Sequence, residues 1–116
     1  MRIDTPLEVA RAGTGLMVIR RGVIETLCER HRELHYRADA NDRADGLVAD
    51  HLVALFQPMI DPDSGHLLSE DYAFCRRVRD AGFRVFVAPW MQTTHTGPAR
   101  FAGSLADLAQ LSAAPA

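Results

Sequence analysis

Lysine is missing from this chain: all 13 basic residues other than histidine are arginine, so a lysine nucleophile or Schiff base is excluded. Cysteine is scarce. Cys28 and Cys75 are the only two, they make no metal-ligand spacing, and they read as reduced, buried thiols of a cytoplasmic protein. An excess of charge of either sign is also missing. A formal net charge of −2 gives no electrostatic grip on nucleic acid or on an anionic membrane. No apolar run reaches membrane-spanning length, and Met1 to Pro6 lacks the apolar core of a signal peptide. A glycine-rich phosphate loop is absent too, since Gly13-Thr14-Gly15 has no third glycine and precedes a strand pattern rather than a helix. That excludes a dinucleotide-binding fingerprint. No internal repeat is present.

What remains is an ordinary globular composition, 47% hydrophobic and 24% charged over 116 residues. That is enough for one domain with a single core. Helix and strand signals alternate along it. Gly15 to Ile19 is an unbroken apolar run that predicts a buried strand. Val23 to Leu34 has helical spacing at Val23, Ile24, Leu27 and Leu34. Residues 37–46 are polar and acidic and predict a mobile surface loop. Leu52 to Ile60 predicts a second strand, running into the turn Asp61-Pro62-Asp63-Ser64-Gly65. Arg84 to Ala88 predicts a short strand ended by Pro89. Thr93 to Pro98 predicts a polar loop or strand end, and Phe101 to Leu111 a last helix. The tail beyond Leu111 is expected to fray.

The most informative stretch is Ser69-Glu70-Asp71-Tyr72-Ala73-Phe74-Cys75-Arg76-Arg77. Ser69 is a good N-cap, Glu70 and Asp71 suit the positive end of a helix, and Gly82 supplies the stop, which predicts a helix over 70–81. At about 100° per residue, Phe74, Cys75, Val78 and Ala81 share one face, and Asp71 projects into its middle. Arg76, Arg77, Arg79 and Asp80 fall mostly elsewhere and are expected in solvent. A carboxylate on an apolar face needs a donor, a cation, a metal or a substrate proton. Asp71 is therefore the first candidate for chemistry, against the plainer reading that it only caps the helix.

The histidines offer less. His31 and His35 have the i,i+4 spacing that lets two imidazoles share a metal, but Glu33 stands in the wrong place for a zincin base, and surface histidines are the simpler reading. No nucleophile elbow supports serine hydrolysis, and Cys75 with His95 lacks a third orienting residue. His95 follows a strand in a threonine-rich segment. If the ends of strands 15–20 and 84–88 meet, Asp71 and His95 face one pocket, with a carboxylate base and an imidazole ligand suited to metal-assisted group transfer.

Taken in order, several segments carry a resemblance: Gly13-Thr14-Gly15-Leu16-Met17-Val18-Ile19-Arg20-Arg21, Glu33-Leu34-His35-Tyr36, Ala54-Leu55-Phe56, the Ser69 to Arg77 block, Phe83 to Pro89, and His95-Thr96-Gly97 with Gly103. Over roughly residues 12–105 the chain resembles the second, acceptor-side half of GT-A-type glycosyltransferases, among bacterial and phage-like members related to family 2. The resemblance implies an α/β fold with a partial GT-A-like mixed sheet flanked by helices. Residues 1–11 are then an N-terminal extension, and 106–116 a helical end and frayed tail.

It also implies roles. Asp71 is the base that deprotonates an acceptor hydroxyl, and Glu70 orients it or binds the acceptor. Tyr72 and the Gly13-Thr14-Gly15 segment contribute to substrate binding, and His95 helps to hold a divalent ion on the donor diphosphate. The implied reaction is inverting transfer of a sugar from a nucleotide-sugar to a sugar or glycan acceptor, with Mn²⁺ or Mg²⁺ neutralising the leaving group.

The departure from the family is as informative. GT-A enzymes carry an N-terminal nucleotide-binding half that closes with an Asp-x-Asp metal motif. Asp61-Pro62-Asp63 has that spelling but follows the first strand and helix, so it is expected to be a hairpin turn. The chain is expected to be a fragment or incomplete enzyme, inactive in isolation and completed by an N-terminal nucleotide-binding half or by self-association. Two other readings stay open: a non-catalytic assembly domain on the same fold, and a small metal-binding α/β protein using His31, His35 or His95.

Overall fold

In the computed structural model, residues 4–37 and 51–104 are described. Together they form a small α/β protein with two helices and several small antiparallel sheets. The elements are β1 (Leu7–Val9), α1 (Arg21–Arg30), a 3₁₀ turn (Arg32–Leu34), β2 (His35–Tyr36), β3 (Leu52–Val53), β4 (Met59–Ile60), β5 (Leu67–Leu68), α2 (Glu70–Asp80), β6 (Val85–Val87), β7 (Gln92–Thr96) and β8 (Arg100–Ser104). Two compact units are distinguished, Ala10–Val85 and Met1–Val9 with Phe86–Ala116.

The central unit is organised by α2. Its N-cap is Ser69, in extended backbone, with Glu70 and Asp71 in the first turn and Arg77 and Arg79 in the last, all complementary to the helix dipole. The Ser69 hydroxyl makes no capping hydrogen bond, so the residue marks the helix start without satisfying a backbone donor there. At the other end Gly82 takes φ 86°. Its N–H donates to Arg79 O at 2.9 Å and that of Phe83 to Val78 O at 3.2 Å, the paired bonds of a Schellman stop. Arg30 Nη2 of α1 adds a donor to Asp80 O at 3.3 Å, covering another terminal carbonyl.

Alpha-helical spacing then explains the core. Leu27 from α1, Leu34 from the 3₁₀ turn, Leu55, and Phe74 and Val78 from α2 form one buried cluster, with Met17, Ile19, Val23, Ile24, Val53 and Phe83 packed on it. Phe74 is 2% exposed, and burying such a ring contributes about 2–3 kcal/mol. Its outer face stacks on Phe56, centroids 4.2 Å apart and planes 6° apart. The 3₁₀ turn is tied in by Ala54 N–H donating to Leu34 O at 2.9 Å.

Short antiparallel pairs complete this unit: β2 with β3, and β4 with β5. The β4–β5 turn is the expected one. Asp61 accepts from Asp63 N–H at 3.1 Å and from Ser64 Oγ at 2.7 Å, and Gly65 takes φ 71°, where a side chain would be strained. Strand β1 pairs with β6, and in the terminal unit β7 pairs antiparallel with β8 from Gln92↔Ser104 to Thr96↔Arg100.

Four expectations are corrected. Residues 15–20 form no strand; Met17 and Ile19 are part-buried while Leu16 is 65% and Val18 96% exposed, so the run is a half-buried irregular segment rather than a buried strand. Leu52 to Ile60 is not one strand but β3 and β4, separated where Leu55 N–H turns back to Val53 O and Gln57 N–H to Ala54 O. Residues 101–104 belong to β8 rather than to a last helix, paired across to β7, and Phe101 with Gly103 gives that end of the segment little helical preference. Arg77, expected in solvent, is 6% exposed. The loop expected at 37–46 lies, from residue 38 on, outside the described residues, as do the remainder of the last helix and the frayed tail.

Candidate functional site

Asp71 does turn inward, and what meets it is the segment just before the apolar run. Thr14 N–H donates to Asp71 Oδ2 at 3.0 Å, and the Thr14 hydroxyl donates to Asp71 Oδ1. One residue thus engages both oxygens of a half-buried carboxylate across 57 positions of sequence. Two neighbouring contacts hold the same segment along the first turns of α2. Cys75 Sγ donates to Ala12 O at 3.6 Å, and the Arg11 guanidinium lies over the Tyr72 ring, 4.8 Å from its centroid. Residues 11–14 therefore run beside residues 71–75, fixed by a hydrogen-bonded clamp, a thiol contact and a cation–π contact.

The glycines on either side leave room. A Cβ added to Gly13 would meet only Asp71 Oδ2, at 3.7 Å, and one added to Gly15 would meet nothing within 4 Å. Gly13 and Thr14 are brought to Asp71, whereas Gly15 is only adjacent in sequence. Glu70, on the preceding position of α2, is exposed. Tyr72 is 38% exposed, with Arg11 on its ring.

Chemically the clamp leaves capacity. An ionised carboxylate has about four acceptor positions, and Thr14 fills two of them. The rest can accept from a further donor, such as a hydroxyl.

His95 lies on β7 of the terminal unit and is exposed, while Asp71 belongs to the central unit. His31 Nδ1 bonds Glu33 Oε1 at 2.9 Å, and His35 Nε2 bonds Cys28 O at 2.9 Å. A carbonyl only accepts, so Nε2 of His35 carries the proton. The two imidazoles thus face different partners. The His31 contact also holds the Glu33 carboxyl below the ordinary range. Among the described residues no group of three or more histidine, cysteine, aspartate or glutamate side chains could hold a metal ion, and no helix is long and apolar enough to cross a membrane.

The residues that sequence reasoning missed are two of the three arginines of α2, Arg76 and Arg77. Arg76 clasps three carboxylates: Nη1 meets Asp61 Oδ1 at 2.5 Å, Nη2 meets Asp63 Oδ2 at 2.7 Å, and Nε meets Asp80 Oδ1 at 2.9 Å. Hydrogen bonds to Asp63 and Asp80 hold its pKa above the usual arginine value. Asp61 is held below the carboxylate range, first by the Ser64 hydroxyl and the Asp63 N–H and then by Arg76. The Asp-x-Asp spelling is thereby accounted for as a hairpin turn neutralised by arginine. Arg77 Nη1 donates to Leu55 O at 2.8 Å and Gln57 O at 2.7 Å, tying α2 to the bend between β3 and β4; burial pushes its pKa down. The helical wheel could flag neither role, since both depend on where a long side chain ends.

Family models, curated proteins and solved structures were compared with this chain, and none matches.

Proposed function

We propose that the chain is the acceptor-side part of a GT-A-type glycosyltransferase, with Asp71 as the base for the acceptor hydroxyl. The observation that carries this reading is the Thr14–Asp71 clamp. It joins two of the segments on which the resemblance rests, Gly13-Thr14-Gly15 and Ser69 to Arg77, at a half-buried carboxylate with free acceptor positions.

In this reading Thr14 orients Asp71, and Tyr72 and the open backbone at Gly15 line the approach of a sugar or glycan. The acceptor hydroxyl gives its proton to Asp71 while its oxygen forms a bond to the anomeric carbon of the donor. The bond from that carbon to the nucleoside diphosphate breaks, and the configuration inverts. Glu70, exposed beside Asp71, meets the acceptor from the solvent side. The mixed GT-A sheet and the donor half belong to the proposal as well. They require residues beyond those described, in the same polypeptide or in a partner.

The divalent ion fits poorly with the described residues. His95 offers one imidazole, and no described cluster supplies the further protein ligands. No step of the mechanism is therefore assigned to Mn²⁺ or Mg²⁺ held by this chain. A second reading, assembly without catalysis, is favoured by the exposure of Leu16 and Val18 at 65% and 96%.

The test is release of nucleoside diphosphate from UDP- or GDP-sugars by the purified chain with Mn²⁺ and mixed oligosaccharides. Removing a general base lowers a rate by about 100-fold or more. A loss of that size in Asp71→Asn, with an unchanged circular dichroism spectrum, supports the assignment. Release that is equal in Asp71→Asn refutes it. No release from either protein, together with no saccharide binding at residues 13–15 and 70–72, refutes the acceptor-side reading.

A further inference from the structure

The contact between Arg11 and Tyr72 has a chemistry that the transfer mechanism does not use. The guanidinium carbon lies over the ring at 4.8 Å from its centroid, a cation–π contact that leaves N–H donors for an oxygen ligand. Its N–H donors lie in the guanidinium plane and point outward from the edges. Among the described residues those donors have no hydrogen-bond or ion-pair partner. Arg11 is exposed, and Tyr72 is 38% exposed, so a ligand can reach the edge.

Other arginines of the central unit are differently placed. Arg76 is consumed by Asp61, Asp63 and Asp80. Arg77 is turned onto the Leu55 and Gln57 carbonyls, and Arg21 pairs with Glu25. Arg11 is held in place without being neutralised. Stacking restrains a side chain that would otherwise lose rotamer freedom on binding, which favours two parallel N–H···O bonds to a planar or tetrahedral oxyanion. Its location is specific as well: Arg11 is three residues before Thr14, and Tyr72 follows Asp71.

We propose that Arg11, stacked on Tyr72, forms an oxyanion subsite beside Asp71 that takes the carboxylate or phosphate group of an acidic saccharide. The proposal rests on the acceptor-side reading for its saccharide and on the Arg11–Tyr72 geometry for its charge. An acidic group anchored on the guanidinium edge leaves the sugar ring to extend toward Gly15 and its hydroxyl toward the free positions of Asp71.

The experiment is amide and arginine Nε–H NMR titration of the full chain with glucuronate, glucose 6-phosphate and glucose. The expected result is saturable shifts at Arg11, Thr14 and Tyr72 with one or both acidic sugars, weakening as salt is raised, and little response to glucose. A response to one acidic sugar alone names the group that is preferred. Arg11→Ala is expected to weaken binding about tenfold or more, and Arg11→Lys, which keeps the charge but not the fork, is expected to fall between. Equal responses to glucose and the acidic sugars overturn the proposal, as does undiminished binding by Arg11→Ala. The two readings fail separately. Oxyanion binding at Arg11 without Asp71-dependent transfer keeps the subsite and removes the transferase. Asp71-dependent transfer to neutral acceptors alone does the reverse.

Discussion

Removing the Thr14 hydroxyl and the Asp71 charge, separately and together, probes the clamp that the candidate site depends on. Thr14→Val deletes the donor to Asp71 Oδ1 but keeps the backbone donor to Oδ2. A hydrogen bond to a charged group is worth about 1.5–3 kcal/mol. Half-exposure of this one, with water able to replace part of it, places Thr14→Val at about 1–2 kcal/mol. Asp71→Asn keeps one acceptor oxygen for Thr14 but turns the other position into an amide donor facing a donor. It also removes an acid from the first turn of α2, a separate effect of about 0.3–1 kcal/mol. The double variant should therefore be less destabilised than the sum of the singles, with a coupling of about 1 kcal/mol. Urea unfolding of the four proteins, followed by far-UV circular dichroism, measures it. A coupling below about 0.3 kcal/mol, within the scatter of independent sites, would show that Thr14 and Asp71 do not hold one another in solution.

Acid should unfold the chain partly through the β4–β5 turn. The Asp61 carboxyl is depressed in the folded state by Ser64, Asp63 and Arg76, so the folded chain binds fewer protons there than the unfolded one. Its stabilisation is fully present above the ordinary aspartate value of about 3.9 and is lost as pH falls through the lowered folded value. Thermal melts of Asp61→Asn between neutral pH and acid should show a lower midpoint at neutral pH and a flatter acid limb; an unchanged limb would contradict the assignment. Val18, 96% exposed, should accept Glu with a change of no more than about 0.5 kcal/mol, and a loss several times larger in urea would restore the buried-strand reading.

Much of α2 was legible in the sequence because its signals are local. An N-cap type, two acids, an apolar face and Gly82 all act within a dozen residues, and the helix spans Glu70–Asp80 as they imply. The Asp61 to Gly65 turn was legible for the same reason. Pairing was not. An apolar run such as Leu16 to Ile19 states that burial is available, not which backbone will meet it, and it joins no sheet, with Leu16 and Val18 exposed. Phe101 to Leu111 reads as a last helix, yet 100–104 pairs with 92–96.

The site divides in the same way. Periodicity turned Asp71 inward, but its partner lies 57 positions away, beyond any local rule. Arg77 shows the complementary failure. Its position on the wheel suggested solvent, while its length lets the guanidinium reach two carbonyls and leaves the stem buried.

The central claim is that residues 13–15 and 70–72 form a saccharide-binding acceptor site. Amide NMR of the uniformly labelled chain, titrated with a mixed panel of neutral and acidic oligosaccharides, tests it without requiring turnover. Saturable shifts centred on Gly13, Thr14, Asp71 and Tyr72, altered in Asp71→Asn, are the result predicted. Shifts centred elsewhere, or none with any member of the panel, would contradict it.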